Sequence, residues 1–73
     1  MRKINETFDN LIDDVESLVD RTDLDSVLEA LEEMCYLKAE HVREDWQDEN
    51  LARVWEYNGK IISQTINKIR PTF

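Results

Sequence analysis

Glycine, proline, cysteine and histidine each occur once in these 73 residues. A single glycine leaves no glycine-rich loop to cradle a phosphate. A single proline, Pro71, leaves the chain almost without helix-breaking punctuation. Cys35 has no partner for an intrachain disulfide, a usage that suits a reducing compartment. His41 stands alone, which excludes the paired-histidine metal motifs. No run approaches the roughly 18 apolar residues of a membrane span. Arg2 and Lys3 near the start have no apolar stretch behind them, so no secretory signal is expected. These absences predict a soluble, cytoplasmic protein with no membrane partner.

Acid is what the chain has in excess. Seventeen Asp and Glu face nine Lys and Arg, for a formal charge of −8. Sixteen of those acids lie in residues 1–50 against five bases, whereas residues 51–73 hold only Glu56 against Arg53, Lys60, Lys68 and Arg70. Net charge selects partners rather than folds. This balance repels a phosphate backbone and excludes nucleic acid as a ligand. It favours a protein partner with a basic surface. With 41% apolar and 36% charged residues the composition is globular,. Seventy-three residues make one domain, 1–73, near the size at which one core suffices,. A marginal monomer or a homodimer is expected.

Apolar residues recur at helical spacing throughout. Ile4, Phe8, Leu11, Ile12, Val15, Leu18 and Val19 form one face of a first helix, about 4–20, with Asp9, Asp13, Asp14 and Glu16 on the other. Thr22-Asp23-Leu24-Asp25 reads as a cap followed by acid in a first turn, which suits the helix dipole,. A second helix, about 23–46, follows with Leu24, Val27, Leu28, Leu31, Cys35, Val42 and Trp46 on one face. Gln47-Asp48-Glu49-Asn50 breaks it, with Asp48 or Asn50 as the next cap. A third helix, about 49–70, presents Leu51, Val54, Trp55, Ile62, Ile66 and Ile69 and stops before Pro71,. Short connections between three helices predict an all-α, antiparallel (up-down-up) bundle, dimerising through helix faces.

Placed on helical wheels, Lys38 and Asn58 fall on the apolar faces of the second and third helices, and hairpin pairing sets them opposite each other. Asn5 and Glu6 come to the same level. The expectation is a polar core layer of Lys38, Asn58, Asn5 and Glu6 that fixes register, with Gly59 permitting close approach. Its functional version is a small-ligand or metal site. The back of the second helix carries Glu29, Glu33, Glu40 and Glu44 in a narrow stripe, with Leu37 inside it and Tyr36 at its edge. A leucine among four acids makes this stripe the candidate partner-binding surface.

Catalytic constellations are missing. Carboxylate-bridged metal bundles use Glu-x-x-His pairs, but the residue three before His41 is Lys38. His41 and Asp45 supply two ligands, too few for a dedicated site. All-helical nucleotide pyrophosphatases pair Glu-x-x-Glu with a later Glu-x-x-Asp. Glu29 and Glu32 match the first half, but Gln47 follows Glu44 by three and Ala52 follows Glu49 by three. Cys35 reads as an inert core thiol, and Trp46 and Trp55 read as packing anchors at the turn between the last two helices. In composition alone, with no shared motif, the acids Asp9, Asp13, Asp14, Glu16 and Asp20 together with the Glu stripe resemble DNA-mimic inhibitors of phages and mobile elements. The resemblance implies a partner with a basic groove. The expected function is therefore protein–protein interaction, regulatory or inhibitory and of phage or mobile-element origin. Neither catalysis, nor a cofactor, nor a resident metal is expected. The alternatives are nucleic-acid mimicry and a ligand site at the Lys38–Asn58 layer.

Overall fold

The computed structural model describes residues 7–70 and is helical, with no strand among them. Helix α1 spans Phe8–Arg21, α2 spans Leu24–Asp45 and α3 spans Glu49–Ile66. Each begins on a side-chain cap that satisfies an amide the helix itself leaves open. Thr7 Oγ1 accepts from the Asn10 amide at 3.1 Å, Asp23 Oδ1 from the Ser26 amide at 2.6 Å and Asp48 Oδ1 from the Leu51 amide at 3.0 Å. Hydrogen bonding from the Ser26 side chain, then from its amide, holds the Asp23 carboxyl below its ordinary pKa,. Helix α3 stops four residues before the expected end, because the amides of Lys68 and Ile69 turn back to the carbonyls of Thr65 and Ile66 in the tighter i to i−3 pattern,.

Helices α2 and α3 pack side by side over most of their length. Their seam is built from small residues: Cys35, Ala39 and Val42 of α2 and Ala52 and Gly59 of α3 are buried. Rising numbers on α2 meet falling numbers on α3. Tyr36 lies against Gly59, Lys38 against Trp55, and Arg43 against Glu56 and Glu49. Gly59 is required by its neighbour. A Cβ at this position would stand 2.7 Å from Tyr36 Cε1 and 2.9 Å from Cζ. The close approach foreseen at Gly59 thus accommodates an aromatic ring rather than a polar layer.

The connection between these helices is Trp46-Gln47-Asp48. Gln47 adopts φ 52°, a left-handed conformation that costs a side-chain-bearing residue about 1–2 kcal/mol. It turns the Asp48 amide back to the Val42 carbonyl at 3.3 Å. One flank of the hairpin is then tied by charge. Arg43 donates Nε to Glu49 Oε1 at 2.7 Å, its second terminal nitrogen to Glu49 Oε2 at 3.1 Å and its first to Glu56 Oε2 at 3.2 Å. Arg53 adds a 3.3 Å contact to Glu49. The Arg43 hydrogen bonds, then those of Arg53, hold the Glu49 carboxyl below its ordinary value,.

Helix α1 does not join this pair. It touches α2 near their junction and makes no contact with α3 among the described residues. None of its residues is buried. In place of the closed up-down-up bundle expected from the sequence, the chain shows a hairpin with a projecting helical arm. The Cα radius of gyration is 14.2 Å, against about 11 Å for a compact domain of this length. The junction accounts for this. Only Thr22 and Asp23 connect α1 to α2, and both are committed to caps. The Thr22 amide and hydroxyl return to the Leu18 carbonyl, at 3.2 and 2.8 Å, while Asp23 caps α2.

Two outcomes follow for the hairpin. Gly59→Ala should destabilise it to denaturant by about 1–2 kcal/mol through the clash with Tyr36. In a Tyr36→Ala background the same change should instead stabilise by up to about 1 kcal/mol, the helix-propensity gain. A depressed folded pKa at Glu49 contributes stability that is complete above the unfolded carboxyl pKa and is lost as pH falls through the folded one,. Glu49→Gln should therefore flatten the acid limb of stability below the ordinary carboxyl pKa, as read by circular dichroism across pH.

Candidate interaction surface

The stripe on the back of α2 lies where the sequence places it, pointing away from α3. Glu29, Glu33, Leu37, Glu40 and Glu44 are all exposed, and Leu37 keeps 51% of its surface in water. Tyr36 does not belong to it. Its ring is half-buried over Gly59, and burial, followed by the nearby Glu32 charge, pushes its phenol pKa up,. Tyr36 is a packing residue of the seam.

The expected polar core layer does not form. Lys38 and Asn58 are both exposed, no polar or charged side chain is buried among the described residues, and Asn5 and Glu6 lie outside those residues. The reason is the width of the contact. Two helices alone bury only the line Cys35–Ala39–Val42, and Lys38 sits about 60° from it on the wheel. Its stem runs over the apolar flank and its ammonium stands 5.8 Å from the Trp55 ring centroid, a cation–π contact. Lys38 thereby forms one wall of an open cleft with His41, Val42, Asp45, Trp46, Leu51 and Trp55. Trp55 packs on the seam, whereas Trp46 remains 72% exposed at the edge of the cleft. No cluster of three or more metal-ligating side chains occurs among the described residues.

The larger surface is one that the sequence reading assigned to the core. Phe8, Leu11, Ile12, Val15 and Leu18 lie on one face of α1 and are each at least 42% exposed, Phe8 as much as 73%. Their i, i+3, i+4, i+7 spacing makes a continuous stripe along the helix. Glu16 borders it, while Asp9, Asp13 and Asp20 occupy the opposite side,. Scattered exposed leucines need no explanation, but a contiguous apolar stripe over a whole helix does. Periodicity finds such a stripe without saying what covers it. No signal in the sequence separates the two cases, because two-residue connections also join antiparallel helices.

No family model, no curated protein and no solved structure matches this chain. Its function is therefore argued from these surfaces alone. If the α2 stripe is only solvated, Leu37→Glu should change hairpin stability by no more than about 0.5 kcal/mol in urea denaturation.

Proposed function

We propose that the protein acts by binding another protein chain, with the apolar stripe of α1 as its contact surface. The observation that carries this reading is that no residue is buried on an amphipathic helix whose apolar face is long enough to be a core. Such a helix fits the mode in which anchors at i, i+3, i+4 and i+7 enter an apolar groove. Phe8, Leu11, Ile12, Val15 and Leu18 are the anchors, and the acids flanking and opposing them favour a groove with a basic rim. The three-helix packing expected from the sequence is reached when α1 finds its cover. The action is regulatory or inhibitory and does not require chemistry on the protein's own residues. The acidic polar face argues against an anionic lipid surface as the cover, because interfacial helices carry Lys and Arg there.

A second reading, nucleic-acid mimicry, is favoured by the outward carboxylates Glu29, Glu33, Glu40 and Glu44. It uses a different face and differs in its response to salt: the binding would weaken steeply as ions screen the carboxylates.

Site-specific photo-crosslinking tests the α1 reading. A benzophenone side chain replacing Ile12, on the stripe, should give protein adducts that Val15→Asp reduces at least tenfold. The same group replacing Asp13, on the opposite side, should give few. Equal adduct formation from both positions, or none from either, contradicts the proposal.

A further inference from the structure

The hairpin has two unlike flanks. Arg43, Glu49 and Glu56 close one of them with ion pairs. The other is the flank of the Lys38–Trp55 cleft, and there the helical wheels bring Val27, Leu31 and Met34 of α2 beside Ile62 and Ile66 of α3. Leu31 and Met34 are 41% and 37% exposed, and Val27, Ile62 and Ile66 are half-buried. This is a second uncovered apolar surface, a trench between two helices. It is the place a third helix would occupy.

From this pairing we infer that the cover for α1 is a second copy of this chain: α1 of each protomer lies in the α2–α3 trench of the other, forming a helix-exchanged dimer. The inference rests on the reading of α1 as a contact surface and names its occupant. Four observations carry it. First, the complement is present on the same molecule. Helix α1, with 14 residues, is about 21 Å long, and the trench from the level of Val27 to that of Val42 is about 22 Å. Second, the junction favours exchange over closure. Two residues engaged in caps connect α1 to α2, the step between them leaves α1 off α3, and a short hinge of this kind invites pairing in trans.

Third, the area fits. The chain exposes 6252 Å², against about 4,700 Å² for a compact monomer of its mass. The chain therefore has surface to spare for a contact of at least standard size. Fourth, each surface offers a charge for the other at its border: Glu16 beside the α1 stripe, and Lys38, which shares its cleft with Asp45, on the trench flank. The remaining α1 acids face water in the dimer.

Sedimentation equilibrium of the full chain over a range of concentrations tests this. The wild type should be dimeric. Because each copy carries −8, added salt should leave the association unchanged or tighten it. A foreign basic partner would respond in the opposite sense. Val15→Asp disables the arm and Leu31→Asp disables the trench, and each alone should raise the dimer dissociation constant at least tenfold. An equimolar mixture of the two should recover a heterodimer, since one intact arm still meets one intact trench. Met34→Gln, with helical circular dichroism as the folding control, replaces Leu31→Asp if that variant unfolds.

A monomeric wild type at every concentration overturns the exchange. So does a Leu31→Asp chain that dimerises like the wild type, which would indicate α1 pairing with α1, or a mixture without recovery. If the wild type is monomeric while the Ile12 crosslinker still captures a foreign protein, the contact reading of α1 stands and only its occupant changes. If Val15→Asp alters neither association nor crosslinking, both fall.

Discussion

The close packing of α2 on α3 through small residues governs what the rest of the chain can do. Ala39, Ala52 and Gly59 bring the helices near enough for Tyr36 to lie on the α3 backbone. A seam of alanine and glycine gains contact but removes little apolar surface from water, at roughly 25 cal/mol per Å². The larger side chains are left at its edges: Leu31 and Met34 on α2, Trp46 at the turn, and the whole stripe of α1. Those residues hold the apolar surface that the seam leaves in water, which is why the proposed contact is placed on them.

The junction stands between α1 and the rest of that surface. Thr22 closes α1 and Asp23 opens α2 with no free residue between them. In this arrangement α1 and the apolar flank of the hairpin stay apart. Charge follows the same division. Asp9, Asp13 and Asp20 of α1 and the glutamates on the back of α2 face away from the apolar surfaces, while Glu16 stands at the border of the α1 stripe,.

Much of the secondary structure was legible in the sequence, because caps and periodicity are local. Thr22-Asp23-Leu24-Asp25 and the choice of Asp48 or Asn50 marked two helix starts, which the structure resolves to Asp23 and Asp48, and the spacing of Leu11, Val15 and Leu18 marked one face. The pairing of α2 with α3 was legible too, since a three-residue turn leaves few alternatives. Two things were not. Lys38 and Asn58 were placed in a core because their wheels were centred on a face wide enough for three helices, and a two-helix seam is narrower. The α1 stripe was assigned to the same core because hydrophobic periodicity reports that a face will be covered, not whether the cover lies in the same chain. The outward position of Leu37 and its flanking glutamates was read correctly, but Tyr36 at the edge of that stripe turned inward once Gly59 offered room for its ring.

The central claim is that α1 is protected only through a contact made outside its own chain. Amide hydrogen exchange followed across protein concentration measures this most directly. The account predicts that the seam around Ala39 and Ala52 stays protected throughout, whereas protection of Leu11–Leu18 rises with concentration. Protection of α1 equal to that of the seam and independent of concentration would contradict it, because α1 would then be folding onto its own hairpin.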